Sequence, residues 1–178
     1  VPVDTKIGKI IAYNFGDAGY YDKYSLNRTT VLTHWFQHHG LIDPVGTLFG
    51  HGMGSSYNGV GTLVAGHMDQ KYAFLAIGLT TASSLLWDFG FLGLLLYVAV
   101  FWNALLHAKR RYLGCWDAMT RAVLQAVRLM IAMTAVLTIY SNSYVITFSL
   151  QVMAAFSLGY VAWLDKQASI KNSPEMAV

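Results

Sequence analysis

The chain of 178 residues is short of charge, cysteine and proline. Charged side chains make up 12% of it, about half the share found in a typical soluble domain, and this shortage argues against an ordinary soluble domain. The one cysteine, Cys115, excludes a disulfide framework and a zinc site of four thiolates. Three prolines without a glycine period exclude collagen-like and linker architectures.

Apolar residues are abundant instead. Hydrophobic side chains form 55% of the chain and its mean hydropathy is +0.43, which excludes a disordered chain and predicts a membrane protein. The net charge of +3 is spread along the chain and forms no basic block with interleaved aromatic residues. We therefore expect a lipid bilayer, and no nucleic acid, as a partner.

Uncharged stretches predict an all-α membrane protein, a polytopic helical bundle with three transmembrane helices. Residues 89–106 carry no charge over 18 positions, just enough to cross a bilayer core. Three cations at 109–111 follow directly, which is typical of the cytoplasmic side. A second uncharged stretch, 129–164, is divided by the polar cluster 141–143. Within a membrane region at 82–164, the predicted spans cover about 88–107, 122–140 and 144–164, and a cytoplasmic tail follows at 165–178.

Two points of this topology have alternatives. The uncharged stretch 72–87 is interpreted as an amphipathic or half-buried helix with Trp87 at the membrane interface, but if it crossed the bilayer, the sidedness of all earlier residues would be reversed. Arg128 falls inside the second span. Its side chain is expected to reach the cytoplasmic headgroups, and the alternative is a buried ion pair or a lipid-phosphate contact.

Residues 1–81 are then expected to form one large extracytoplasmic loop. A structureless loop of this length would be unusual, so the loop should contain short helices that fold as a cap on the membrane region. The chain begins without an initiator methionine or an apolar signal core. We therefore expect further spans upstream and interpret the chain as the C-terminal part of a larger protein.

Arg28 is the first candidate for chemistry in this loop. Apolar residues at helical spacing, among them Val31 and Trp35, place Arg28 near the start of a short helix that packs toward the membrane. A guanidinium there can bind phosphate oxygens through two parallel hydrogen bonds. The alternative is an arginine that contacts only headgroups or a local carboxylate such as Asp22.

The second candidate is a glycine-rich turn, residues 48–56, hereafter the glycine turn. Alternating glycines allow backbone N–H groups to face one point, as an anion site requires. The turn lacks the lysine of a nucleotide-binding loop, and a flexible hairpin between two membrane-facing pieces is the alternative. The members of interest are Gly50, His51, Gly52, Gly54 and Ser55.

Two further titratable groups follow. His67 could move a proton near neutral pH, with Asp69 or Lys71 modulating it, although an isolated histidine is more often structural. Asp88 lies at the entrance of the first span. It is either a charge favoured by the helix dipole or the partner of an arginine.

The histidines of the loop are compatible with a metal site or with simple packing. His34 and His38 are four residues apart, and His39 and His51 could converge on them. No glutamate follows the first histidine as in a metalloprotease helix, and we find no carboxylate at ligand spacing. We therefore favour packing and hydrogen bonding, and predict no metal.

The order of these elements resembles the C-terminal half of the bacterial O-antigen polymerase and O-antigen ligase family, over roughly residues 25–105. That family has an Arg-x-x-x-Leu element, a glycine turn, a histidine and a glycine-containing helix entrance in one periplasmic loop. The corresponding elements here are Arg28–Leu32, Leu48–Ser55, His67 and Asp88–Leu94.

The resemblance implies a metal-independent glycosyl transfer, without cofactor, at the periplasmic face of the bacterial inner membrane. The donor would be a glycan on undecaprenyl diphosphate, and the acceptor a second lipid-linked unit or a lipid A core. An exopolysaccharide or capsule polymerase is favoured over a ligase, with a chain-length regulator and a flippase as further partners. A non-catalytic membrane component of polysaccharide assembly or transport is the alternative. The resemblance implies catalytic roles for Arg28, His67 and Asp88, and substrate binding by Gly50, His51, Gly52, Gly54, Ser55, Lys71 and Trp35.

Overall fold

The computed structural model describes residues 5–15, 26–39, 42–59, 64–73, 75–114, 117–142 and 147–171. Within these ranges every regular element is an α-helix, which confirms the all-α prediction. The helices are α1 (Lys6–Phe15), α2 (Thr30–His39), α3 (Pro44–Phe49), α4 (His67–Lys71), α5 (Thr81–Gly114), α6 (Ala118–Tyr140) and α7 (Phe148–Lys171).

Two of these helices fit a membrane crossing by length and composition. The most apolar windows of α5 and α6 have mean hydropathies of 2.0 and 1.9, and the helices contain 34 and 23 residues. Both cover predicted spans, and α6 ends at Tyr140, where the polar cluster 141–143 predicts a break. Among the described residues α7 does not meet the same hydropathy test, so the third span stays a prediction.

The chain divides into two compact units. Unit 1 contains Val1–Leu96 and Leu137–Ile146, and unit 2 contains Tyr97–Val136 and Thr147–Val178. The division follows contacts in space, whereas the predicted division at residue 81 follows hydropathy along the chain. The predicted boundaries between loop, membrane region and tail remain predictions.

Unit 1 is organised around two tryptophans. Trp35 of α2 and Trp87 of α5 are buried together with Ile77 and Leu86. Trp87 is 0% exposed, so its ring packs within the protein, and its predicted position at the membrane interface stays a prediction. It is buried because the residues before α5 fold back as turns and because α2 packs over it.

The start of α5 is fixed by hydroxyl groups. Thr80 and Ser83 cap each other: each backbone N–H donates to the other side-chain oxygen at 3.1 Å. This reciprocal arrangement satisfies N–H groups that the first turn of a helix leaves unpaired. As a result the stretch 72–87 is not one amphipathic helix: turns precede Thr80, and only the second half is helical.

Unit 2 has its own apolar core, in which Leu124, Val127 and Ile131 of α6 pack with Ala108 and Val161. Asp165 of α7 pairs with His107 and with Arg111, the latter at 2.6 Å between Nε and Oδ1. These pairs help to explain why α7 continues to Lys171, whereas the sequence predicts that the last span closes near residue 164.

Arg128 of α6 also finds partners inside unit 2. Its Nη1 donates to Oε1 of Gln125 at 3.2 Å, and its Cζ lies 5.0 Å from the centre of the Tyr112 ring. An amide and an aromatic face are both acceptable neighbours for a guanidinium. In the structure this cation is therefore held by side chains, and its contact with lipid headgroups stays a prediction.

Candidate functional site

Two glycines bring the glycine turn and the first part of α5 into backbone contact. Gly50 has φ 73° and Gly90 has φ 68°, values that L-residues with a side chain rarely adopt. A Cβ on Gly50 would lie 2.5 Å from the carbonyl of Asp88, and one on Gly90 would lie 2.5 Å from the carbonyl of Leu48. Helix α5 therefore breaks at Gly90, directly beside the turn.

The carboxylate of Asp88 fills the concave side of the glycine turn. The N–H of Gly54 donates to Oδ2, while the N–H of Ser56 and the hydroxyl of Ser55 donate to Oδ1, each at 2.9 Å. The N–H of Gly52 donates to the Asp88 carbonyl at 3.0 Å. The turn thus gathers donors around an anion, and that anion belongs to the same chain.

This arrangement gives Asp88 a structural role. Its side chain is 7% exposed and accepts three hydrogen bonds, so it holds the turn in place and does not lie open to substrate. In the structure Asp88 positions the glycine turn, and its expected catalytic role stays a prediction. The donors of Gly52, Gly54 and Ser55 already have acceptors, and their assignment to substrate stays a prediction that would require their release from Asp88.

Histidines gather on one side of Trp87. His39 of α2 meets His51 of the glycine turn, with 4.6 Å between ring centres, and also meets Trp87 at 4.6 Å. His51 lies 6.3 Å from His67, the first residue of α4. His34 is one helical turn before His38 and packs against it at 4.0 Å. His39 therefore meets His51, while the expected convergence of His39 and His51 on His34 and His38 stays a prediction.

Burial keeps three of these histidines neutral near pH 7. It lowers the pKa of His34, His39 and His51 below the ordinary value of 6.5. Neighbouring imidazoles lower the pKa further: His38 for His34, His51 for His39, and His67 for His51. A neutral imidazole can accept a proton or bind a metal ion.

Asp43 joins two of these histidines and is the residue that the sequence reasoning missed. One potential ligand atom from each of His39, Asp43 and His51 lies within 4.8 Å of the others. The signal was available, because Asp43 follows His39 by four positions. Spacing alone does not establish the contact, because α2 ends at His39 and the two residues do not share one helix face.

Arg28 lies at the other end of α2. Asn27 is fully buried and caps the helix, since its Oδ1 accepts the N–H groups of Thr29 and Thr30 at 3.0 and 2.7 Å. The next residue, Arg28, donates from Nε to the carbonyl oxygen of Tyr140 at 2.7 Å, and its Cζ lies 4.1 Å from the Tyr140 ring centre. Asp22, its alternative partner, lies outside the described residues.

No protein-family model, curated protein or solved structure matches the chain. The family resemblance and every role implied by it therefore remain predictions.

The remaining candidate site residues differ in their exposure to solvent. Trp35 is 4% exposed and lies nearly parallel to the His39 ring, and its assignment to substrate binding stays a prediction. His67 and Lys71 are exposed at the two ends of α4, and the Lys71 ammonium lies 5.4 Å from the Tyr72 ring centre. Unit 1 thus brings His67 and His51 together and keeps Arg28 beside the end of α6.

Proposed function

We propose that the protein transfers glycan units from a lipid-linked diphosphate to a sugar hydroxyl at the outer face of a bacterial inner membrane. The donor is of the undecaprenyl-diphosphate type, and the reaction polymerises or ligates glycan repeat units. The observation that carries this proposal is the position of Arg28 at the end of α6, a helix long and apolar enough to cross a bilayer.

The length of α6 supports a position of Arg28 at the depth of a lipid diphosphate. If this apolar helix of 23 residues crosses a bilayer, its end would lie where the hydrocarbon core gives way to headgroups. Tyr140 is the last residue of α6, and its carbonyl and ring hold the guanidinium there. A guanidinium binds phosphate oxygens and stays charged at every relevant pH, so Arg28 supports binding of the donor diphosphate.

The transfer requires charge compensation and a proton acceptor. The acceptor hydroxyl oxygen forms a bond to the anomeric carbon, the bond from that carbon to the phosphate oxygen breaks, and the lipid diphosphate leaves with the electron pair. Arg28 would stabilise the negative charge that develops on the leaving group. The hydroxyl proton would pass to an imidazole. His67 is the exposed candidate, and His51 lies beside it.

The proposed placement in the membrane follows the distribution of cations. Lys109, Arg110 and Arg111 lie near the end of α5, and Lys166 and Lys171 lie in the last turns of α7. The positive-inside rule would place both groups on the cytoplasmic side. With the three predicted spans, residues 1–81 would lie in the periplasm and residues 165–178 in the cytoplasm, and the proposed partners are the chain-length regulator and flippase of the same pathway.

The test is a glycan ladder from a strain that lacks the full-length gene. The strain is complemented with wild type, Arg28→Ala or Arg28→Lys at matched membrane levels, and Arg110→Ala serves as a control because this exposed arginine belongs to unit 2. We expect wild type and Arg110→Ala to restore the ladder. We expect Arg28→Ala to leave single repeat units, and Arg28→Lys to give a partial ladder because it keeps the charge without the planar fork.

Two results would contradict the proposal. If polymer length is unchanged without the gene, the protein is not the transferase, and a component of assembly or transport becomes the better interpretation. If Arg28→Ala restores the full ladder, Arg28 does not bind the donor and the site lies elsewhere.

A further inference from the structure

We infer that His39, Asp43 and His51 form a binding site for one divalent metal ion with the ligand preferences of zinc. The proposed glycosyl transfer does not require this ion, and the inference does not depend on that function. It rests on three residues that come from the end of α2, the start of α3 and the glycine turn.

The ligand set and its spacing fit zinc. Two imidazole nitrogens and one carboxylate oxygen are common protein ligands of Zn²⁺. Their candidate ligand atoms lie within 4.8 Å of one another. Around a tetrahedral Zn²⁺ with bonds of about 2.0 to 2.1 Å, ligand atoms are about 3.4 Å apart. The candidate ligand atoms would therefore need to move toward one another by roughly 1.5 Å or less to coordinate the ion. Side-chain rotations provide movements of that size.

Unpaired ring nitrogens provide the second, independent observation. Nδ1 of His39 and Nε2 of His51 are buried and have no hydrogen-bond partner. His39 is 4% exposed, so water does not readily reach it. A buried polar atom without a partner costs stability, and a metal ion would remove that cost because it accepts the nitrogen lone pair.

The local backbone keeps a carboxylate oxygen beside the imidazoles. Oδ1 of Asp43 caps α3 by accepting the N–H of Gly46 at 3.0 Å, which leaves Oδ2 as the candidate ligand. A Cβ at residue 46 would overlap that oxygen and lie 2.8 Å from Cε1 of His51. Glycine at this position therefore permits the two side chains to lie together. The hydroxyl of Thr47 reaches the carbonyls of His39 and Asp43, both at 2.7 Å.

A bound ion would join three segments of unit 1. With three protein ligands, a fourth position stays open to water, and His67 is the nearest further imidazole, with its ring centre 6.3 Å from that of His51. The ion would hold α2 to the glycine turn, which is itself anchored to Asp88. Its effect is thus to stabilise the arrangement of the turn.

The test measures metal binding on the full-length protein in detergent, purified without a histidine tag and stripped with a chelator. Zn²⁺ alone is titrated against a competing indicator, and Co²⁺ is added to a second sample. We expect one Zn²⁺ per chain and, with Co²⁺, visible absorption typical of a four-coordinate ion. Asp43→Asn should weaken Zn²⁺ binding more than roughly tenfold. Asparagine is also a good helix cap, so this variant should fold.

His38→Ala is the matched control, because His38 is exposed on the same helix and is not one of the three ligands. It should bind Zn²⁺ like wild type, whereas His39→Ala and His51→Ala should not. The inference is overturned if the wild type binds no Zn²⁺ at micromolar concentration. It is also overturned if Asp43→Asn binds as tightly as wild type, or if His38→Ala loses as much affinity as His39→Ala. None of these readouts involves glycan, so they are independent of the ladder experiment.

Discussion

Asp88 accepts a hydrogen bond of 2.9 Å from the hydroxyl of Ser55, 33 positions earlier in the chain. The same carboxylate oxygen accepts the N–H of Ser56, and the other accepts the N–H of Gly54. These bonds join the glycine turn to α5 at the point where the helix breaks. The carboxylate that the sequence suggests for chemistry therefore anchors the glycine turn to α5.

Replacement of Asp88 should destabilise the protein. Asp88→Ala leaves the N–H groups of Gly54 and Ser56 without an acceptor, and each such loss costs about 1 to 3 kcal/mol, although the costs do not add fully. The Ser55 hydroxyl keeps the Trp87 carbonyl as an acceptor at 3.2 Å. Ser55→Ala should cost less, about 1 kcal/mol, because it removes one of the three donors to Asp88 and leaves the other two in place. Thermal unfolding in detergent measures both effects. Asn58→Ala is the control, because Asn58 is exposed and follows the glycine turn, and its unfolding midpoint should match that of wild type. If Asp88→Ala unfolds at the same midpoint as Asn58→Ala, Asp88 does not anchor the turn.

Alanine at Gly90 should be more damaging than alanine at Gly52. Both glycines have positive φ, 68° and 98°, so both substitutions carry a conformational cost of about 1 kcal/mol or more. A Cβ at residue 90 also meets the backbone of Leu48 at 2.5 Å, whereas nothing lies within 4 Å of a Cβ at residue 52. The difference between the two unfolding midpoints therefore measures the loss of stability caused by the close contact at residue 90. Equal midpoints would show that the turn and α5 can separate freely.

Much of the architecture could be predicted because it depends on local pattern. Apolar length and the polar cluster after Tyr140 indicate α5 and α6, and apolar spacing indicates α2. Contacts between distant segments could not be predicted in the same way. The burial of Trp87 and the meeting of His39 with His51 depend on how turns fold back, and no period in the sequence encodes that path.

Acid should destabilise metal-free protein through the buried histidines. Because burial lowers the pKa of His34, His39 and His51 below 6.5, the unfolded chain binds more protons than the folded one as the pH falls past 6.5. Their contribution to stability is complete above pH 6.5 and is lost below it. Burial raises the pKa of Asp69, so protonation of that carboxyl works in the opposite direction at lower pH.

The measurement is the unfolding midpoint from pH 8 to pH 5 in chelator-treated samples. His39→Gln should flatten the decline, because one of the groups with a lowered pKa is gone. His38→Gln should change the profile less than His39→Gln, because His38 is exposed and acts on the profile only by lowering the pKa of His34 and His39. A wild-type midpoint that rises on acidification below pH 6.5 would contradict the prediction.

The aromatic ring of Tyr140 should position Arg28 for the proposed transfer. Its ring centre lies 4.1 Å from Cζ of Arg28, and a cation–π contact at an accessible site contributes about 0.5 to 1 kcal/mol, which corresponds to a roughly two- to fivefold change in binding. The contact to the Tyr140 carbonyl survives any substitution, so Tyr140→Leu should reduce polymer yield without abolishing it. Tyr140→Phe keeps the ring face and should behave like wild type.

The readout is again the glycan ladder at matched membrane levels, with Tyr160→Leu in α7 as the control because this half-buried tyrosine belongs to unit 2. If Tyr140→Leu and Tyr140→Phe reduce the yield equally, the ring does not position Arg28. If Tyr140→Leu lowers the yield while raising the donor concentration needed for half-maximal rate, the loss lies in donor binding. That is the step that should change if Arg28 binds the donor diphosphate as proposed.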